Sequence, residues 1–237
     1  MERGRIFLAA VPGRVEPNHR AEMVNQLLYG EEFTIVAHEG EWVQVMTTHD
    51  DYLAWIRNNT FMPIQDFSAS KGCFHDTLIK PWEGVGLVSF GALLKETASC
   101  IDVSQLPKIA ALWTNVPYLW GGRTPMGVDC SGFTQLLYRA AGLNIPRDAW
   151  QQALQGEDIG FLEEALPGDL AFFGEEEGPI THVGLLTGNG GIWHASGWVR
   201  EDQIDHQGIF NKDLNRHTHQ LRLIKRIQPS MTEEYIL

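Results

Sequence analysis

Cys130 stands in the run Asp129-Cys130-Ser131-Gly132, at the first turn of a predicted helix and after a loop rich in glycine and proline, residues 121–127. A helix N-terminus carries partial positive charge and unpaired N–H groups. Both favour a thiolate, so the position predicts a lowered thiol pKa and a ready set of oxyanion donors. That is the chemistry of a nucleophile in acyl transfer, which needs a base and a group to orient the base. Among nine histidines, two stand out by context. His182 opens the apolar run His182-Val183-Gly184-Leu185, and His194 closes Gly191-Ile192-Trp193-His194. The turn Thr187-Gly188-Asn189-Gly190 between them predicts a hairpin, which brings the two imidazoles to the same end. The competing readings are a buried cysteine that merely starts a helix and two strand-end histidines facing water.

These residues need a scaffold. In Cys130-Ser131-Gly132-Phe133-Thr134-Gln135-Leu136-Leu137-Tyr138-Arg139-Ala140, the residues Phe133, Leu136, Leu137 and Ala140 recur at i, i+3, i+4 and i+7. They form one apolar stripe, which Gly142 ends. A helix is expected over residues 106–113 with Ser104 as a possible cap, and a shorter one over 148–154. Strands are expected over 169–173, 182–186, 191–195 and 221–227. Helices followed by a run of strands predict an α+β domain with an antiparallel sheet. Residues 1–65 read differently. Glu32-Phe33-Thr34-Ile35-Val36-Ala37, Trp42-Val43-Gln44-Val45-Met46 and Tyr52-Leu53-Ala54-Trp55-Ile56 are short strands between polar turns, as in a small barrel. Leu27-Leu28-Tyr29-Gly30-Glu31 reads as the end of a long loop. The expected division is a barrel over 1–65, barrel end and linker over 66–102, and a catalytic domain over 103–237.

The bulk properties narrow the function. The chain has 237 residues, 43% hydrophobic, with a formal charge of -12. This balance argues against nucleic acid, which needs a basic face, and against an anionic membrane surface. The early apolar run Ile6 to Val11 is too short for a secretory signal core, and no run reaches the length of a membrane span. A cytoplasmic location is the expectation. The three cysteines, Cys73, Cys100 and Cys130, make neither a disulfide framework nor a zinc site. Reduced thiols fit, with Cys73 and Cys100 as small apolar fillers.

Five blocks now fall in order: Pro117-Tyr118-Leu119-Trp120-Gly121-Gly122, Asp129-Cys130-Ser131-Gly132-Phe133, Leu166-Pro167-Gly168-Asp169-Leu170, His182-Val183-Gly184 and Trp193-His194-Ala195. Together they resemble the NlpC-type cysteine peptidases of bacterial cell-wall turnover, over residues 103–228. The resemblance implies a papain-like fold in which a helix carrying the cysteine packs on an antiparallel sheet. It implies Cys130 as nucleophile, His182 as base and His194 as a neutral orienter. It also implies Tyr118 at the oxyanion, and Asp129 and Ser131 lining the substrate groove. Residues 14–31 and 52–56 look like the bacterial SH3-like barrel of one subgroup, the γ-D-glutamyl-L-diamino acid endopeptidases or dipeptidyl-peptidases VI. Ile145-Pro146-Arg147-Asp148-Ala149-Trp150 resembles the subgroup's substrate loop, and Ile204-Asp205-His206-Gln207-Gly208-Ile209-Phe210-Asn211 its C-terminal portion. Two departures are visible: Ala54 stands where a glycine is usual before the barrel tryptophan, and Ala149 where some relatives have serine.

The subgroup's substrate is a free murein tripeptide or tetrapeptide with an N-terminal L-Ala, cut after γ-D-Glu. Reading its free amine calls for a carboxylate and acceptors. By motif position, Glu22 and Tyr52 of the barrel are the candidates, with Asp148 as a second carboxylate and Glu16 as runner-up to Glu22. The expected partner is this peptide alone, bound by a monomer without metal or cofactor. Three alternatives use the same residues: an amidase or acyltransferase of this fold, an inactive cell-wall-binding module, and a metal-dependent hydrolase built on His182, His194 and a carboxylate. No H-E-x-x-H spacing supports the last.

Overall fold

The computed structural model describes residues 2–66, 72–73, 78–82, 86–94 and 100–228. Alternating buried and exposed residues build the first unit from β1 (Arg3–Ile6), β2 (Ala10–Arg14), β3 (Met23–Leu28), β4 (Glu32–Glu39), β5 (Trp42–Thr47), β6 (Leu53–Arg57) and β7 (Phe61–Ile64). The sheet order is β3-β2-β6-β5-β4-β1-β7, and neighbours in it are antiparallel. Ile6, Val11, Leu27, Phe33, Val43, Val45 and Ile56 fill its core. One correction is needed here. Leu27 and Leu28 end strand β3 rather than a loop. Asn25 and Gln26 make the segment look too polar for a strand, but both side chains bond to the catalytic domain.

Four short strands follow: β8 (Gly72–Cys73), β9 (Ile79–Trp82), β10 (Gly86–Ser89) and β11 (Leu93–Leu94). They pair β9 with β10 and β8 with β11. The Cys73 side chain lies outside the described residues. Cys100 is exposed rather than a filler, since it sits against Gly142 at the surface.

The second unit is helical at first. A 3-10 turn over Val103–Gln105 leads into α1 (Leu106–Ala111). The 3-10 turn is capped by Asp102, whose carboxylate accepts from the Ser104 N–H at 2.9 Å, while α1 itself starts from Gln105 without a side-chain cap, so Ser104 is not the cap. A two-residue pair, β12 (Arg123–Thr124) with β13 (Gly127–Val128), precedes α2 (Cys130–Ala140) and α3 (Ala149–Gln152). Then come β14 (Glu157–Ile159), β15 (Leu170–Phe173), β16 (His182–Leu186), β17 (Gly191–Ser196), β18 (Trp198–Asp205), β19 (Gly208–Asn211) and β20 (Arg216–Arg226). They form one antiparallel sheet in the order β14-β20-β15-β16-β17-β18-β19, and β20 also pairs with β19. The core lies between α2 and this sheet, with Phe133, Leu136 and Leu137 against Val183, Leu185 and Ala195. No helix among the described residues is long and apolar enough to cross a membrane.

The two units are tied by buried polar contacts. Glu31 of the barrel is fully buried between Arg123 and Arg139 of the catalytic domain. Gln26 accepts from Arg123 through both its side chain and its carbonyl, at 2.7 and 2.8 Å. Gln135 donates to Asp50 at 2.8 Å. Gly121 is required at this seam: its φ is +74°, and a Cβ there would lie 2.4 Å from the Met23 carbonyl.

Candidate active site

Cys130 is the first residue of α2, and Asp129 is its cap. Every acceptor direction of the Asp129 carboxylate is occupied. It accepts from the Gly132 N–H at 2.7 Å, the Gly121 N–H at 2.8 Å and Arg147 on both oxygens. Arg147, 1% exposed, also donates to Ser131 Oγ at 2.9 Å and to Asn25 of the barrel at 3.0 Å. Asp129 and Arg147 thus fix the helix start, the glycine loop and the barrel in one frame. Sequence reasoning quoted Arg147 but gave it no role.

The predicted hairpin forms, with Leu185 opposite Trp193 and Leu186 opposite Ile192. It places His182 Nε2 2.9 Å from His194 Nδ1. Both rings are buried. β16 packs on α2, and the N–H of Val183, the residue after His182, reaches the Cys130 sulfur. His182, His194 and Cys130 are thereby brought together.

Two neighbours went unread in the sequence. His219, on β20, stacks on His182 with ring centroids 4.2 Å apart. Asp202, on β18, lies 3.2 Å from His194 Nε2. A carboxylate therefore stands behind His194, the residue that the resemblance implies as a neutral orienter. The only available signal was the polar Asp202 at a buried position in an unrecognised strand.

The protonation states also depart from expectation. The helix start predicts a depressed thiol pKa. Instead burial, followed by the Asp129 carboxylate, pushes Cys130 up to about 12, against the pull of the Val183 and Ser131 N–H groups. Burial, with His194 and His219 alongside, holds His182 well below the ordinary imidazole range. At neutral pH the resting pair is thus thiol and neutral imidazole. The thiol is activated when His182 removes its proton during attack, not by a standing ion pair. Iodoacetamide should therefore label Cys130 slowly at pH 7, with a rate climbing about tenfold per pH unit past pH 10. An unperturbed thiol would level near pH 9.5. Peptide mapping separates Cys130 from the exposed Cys100, and a plateau below pH 8 would contradict the assignment.

Cys130 opens into a cleft of about 510 Å³. The catalytic domain lines it with Tyr118, Trp120, Asp129, Ser131, Arg147, Asp148, Trp150 and Thr181, and the barrel adds Val24 and Tyr52. Burial, with Cys130 and Asp129 nearby, raises the Tyr118 phenol, which keeps its hydroxyl a donor. Burial also raises Tyr52 to about 12, with Asp148 next in effect. Asp148, half-buried, is raised first by burial and then, against the pull of Arg147, by Asp129. Glu22 and Glu16 are both exposed, and neither is among the residues that line the cleft. On β3 the cleft-lining residue is Val24, whereas Glu22 precedes the strand. Asp148 is the half-buried carboxylate facing Tyr52 across this end.

Nitrogens of His182, His194 and His219 lie within 4.8 Å of one another. They do not make a convincing metal centre. The His182 and His219 rings are stacked 27° from parallel, so their in-plane lone pairs run alongside rather than converge. His182 and His194 also spend facing nitrogens on each other.

The profile described as NlpC/P60 family matches residues 115–222. The profile described as bacterial dipeptidyl-peptidase Sh3 domain matches residues 13–60. The chain is 30% identical to a gamma-D-glutamyl-L-lysine dipeptidyl-peptidase of Bacillus subtilis, over 72% of this chain and 71% of that protein. It is 25% identical to the Bacillus cereus protein of that name, over 77% and 70%. Among solved structures, an NlpC/P60 family protein from Bacillus cereus superposes with a TM-score of 0.78 at 19% identity. That match covers 96% of this chain and all of the other, and it shows the shared fold.

Proposed function

Since the chain belongs to the NlpC/P60 family and carries a dipeptidyl-peptidase SH3 domain before its peptidase domain, we propose that it hydrolyses the γ-D-glutamyl-diamino acid bond of free murein peptides bearing an N-terminal L-Ala. The observation that carries this reading is the shared cleft. Tyr52 and Val24 of the barrel line the cleft beside Cys130, and in this reading they close one end, so that the groove takes a chain terminus instead of a continuous strand of cell wall. Asp148 and Tyr52 at that end are suited to a free ammonium, with a carboxylate for its charge and a phenol oxygen as acceptor.

In this mechanism the Cys130 sulfur attacks the γ-carbonyl as its proton passes to His182. The Cys130 backbone N–H, unpaired at the first helical position, and the Tyr118 hydroxyl hold the oxyanion. The imidazolium gives the proton to the departing amine of the diamino acid, leaving an acyl thioester. Water, deprotonated by His182, then releases the dipeptide L-Ala-D-Glu and restores the thiol. The same reading sets the enzyme in the cytoplasm, where reduced Cys100 and Cys130 are at home and wall fragments are recycled.

The test is product analysis by mass spectrometry on L-Ala-γ-D-Glu-L-Lys, with and without N-acetylation. The expected products from the free peptide are L-Ala-D-Glu and lysine. Acetylation should slow cleavage by roughly a hundredfold, because it removes the charge-assisted hydrogen bond and strands the carboxylate. Equal rates on the two peptides would refute recognition of the free amine.

A further inference from the structure

A histidine pair by itself does not say which way its proton points. Between His182 Nε2 and His194 Nδ1, 2.9 Å apart, one hydrogen serves either direction. If His194 donates, His182 must keep its proton on Nδ1, and no nitrogen is left to take the Cys130 proton. If His182 donates, its Nδ1 carries a free lone pair and the ring is a base. Nothing in the two rings chooses between these states.

We propose that Asp202 is a positioning residue that makes this choice, by accepting the His194 Nε2–H and so fixing both imidazoles as Nε2–H tautomers. The carboxylate is 5% exposed and lies 3.2 Å from His194 Nε2. In the opposite state an imidazole lone pair would face a buried carboxylate with no proton between them. Asp202 is itself held from behind. Arg200 Nη2 donates to its Oδ1 at 2.9 Å, and Arg200 Nε lies 2.9 Å from Oδ2. Arg200 also pairs with Asp213 at 2.8 Å and covers the Trp198 ring. Burial works to raise the Asp202 carboxyl, but hydrogen bonds from His194 and Arg200 outweigh it and keep it ionised. The result is a directed chain. Asp202 accepts from His194, His194 accepts from His182, and the bare His182 nitrogen is left for Cys130. The other titratable neighbour is His219 from β20, which burial holds at about 4 and therefore neutral.

The inference rests on the peptidase reading of the site, but one of its tests does not. In protein labelled with ¹⁵N-histidine, imidazole NMR at pH 7.5 should show His182 and His194 as Nε2–H tautomers. Asp202→Asn should break that tautomer at His194 and lower kcat roughly 10²-fold, less than the equivalent change one residue nearer the base in a serine protease. With one negative charge removed, imidazolium is disfavoured, so the acid limb of kcat/KM should move to lower pH. A merely structural role would lower the melting temperature and leave tautomers and acid limb in place. An Nδ1–H tautomer at wild-type His194 would overturn the proposal. So would Asp202→Asn with wild-type tautomers and kcat within threefold. If the wild type fails to cleave the tripeptide, the substrate reading falls while the NMR result still decides this one.

Discussion

Cys130→Ala is expected to abolish hydrolysis of the free tripeptide, lowering kcat roughly 10⁵- to 10⁶-fold, with the fold intact. The loss is large because every other feature of the site serves the sulfur. His182 has no proton to take without it, and the oxyanion donors have no adduct to hold. The fold should survive because the sulfur is structurally expendable. The α2 cap is made by the Asp129 carboxylate on the Gly132 N–H, and Ala keeps the small apolar volume that Cys130 contributes to the core beside Phe133. Cys130→Ser should behave alike, since the resting His182 is a weak base and a hydroxyl is far harder to deprotonate than a thiol. Lysine release and the melting temperature together check this. A variant that kept even a hundredth of wild-type activity while melting normally would remove Cys130 from the mechanism.

Glu31→Gln is expected to destabilise the protein by about 3–5 kcal/mol near neutral pH, the usual cost of breaking a buried ion pair from one side. Glu31 is fully buried, and the substitution leaves Arg123 and Arg139 without their shared counter-charge. Burial alone would raise this carboxyl, but Arg123, Arg139 and His49 hold it at about 2. The sign follows from linkage. A folded-state pKa below the unfolded value of 4.5 means that the contribution is complete above pH 4.5. It drains away as pH falls from 4.5 towards 2. Urea unfolding should therefore show a wide gap between wild type and Glu31→Gln at pH 7 and a narrower one at pH 3. Because Arg123 and Gln26 share this seam with the cleft, KM should also rise. A loss under 1 kcal/mol would show that the cluster does not lock the barrel in place.

How much of this could be read from the residues depended on whether a signal was local. The helix bearing Cys130 declares itself by its apolar stripe, and the His182–His194 hairpin by its turn. Both form as the pattern dictates. What escaped depends on partners distant in sequence. Strand β3 looked like a loop because Asn25 and Gln26 are polar for reasons that lie at positions 147 and 123. Asp202 was invisible because the value of a buried acid depends on which strand it pairs beside. The thiol went astray for a related reason. A helix start is visible in a sequence, whereas the burial and the adjacent carboxylate that override it are properties of the assembled core. Glu22 shows the limit of motif position, since it lies exposed just before β3 while Val24 within that strand lines the cleft.

The double pairing of β20, with β19 along 216–220 and with β15 along 221–225, has a bearing on how a peptide can be recognised. Many proteins capture peptides by letting them extend a sheet, so that main-chain hydrogen bonds supply the affinity. Among the described residues, this sheet closes on itself through β20 and leaves only the three-residue β14 at an open margin. Strand addition is thereby closed off beside His182 and His194. A peptide containing a D residue joined through its side chain could not keep the backbone repeat that such addition requires. The enclosed sheet thus suits a ligand held by its termini and functional groups, and it gives ordinary extended polypeptides no ladder to join.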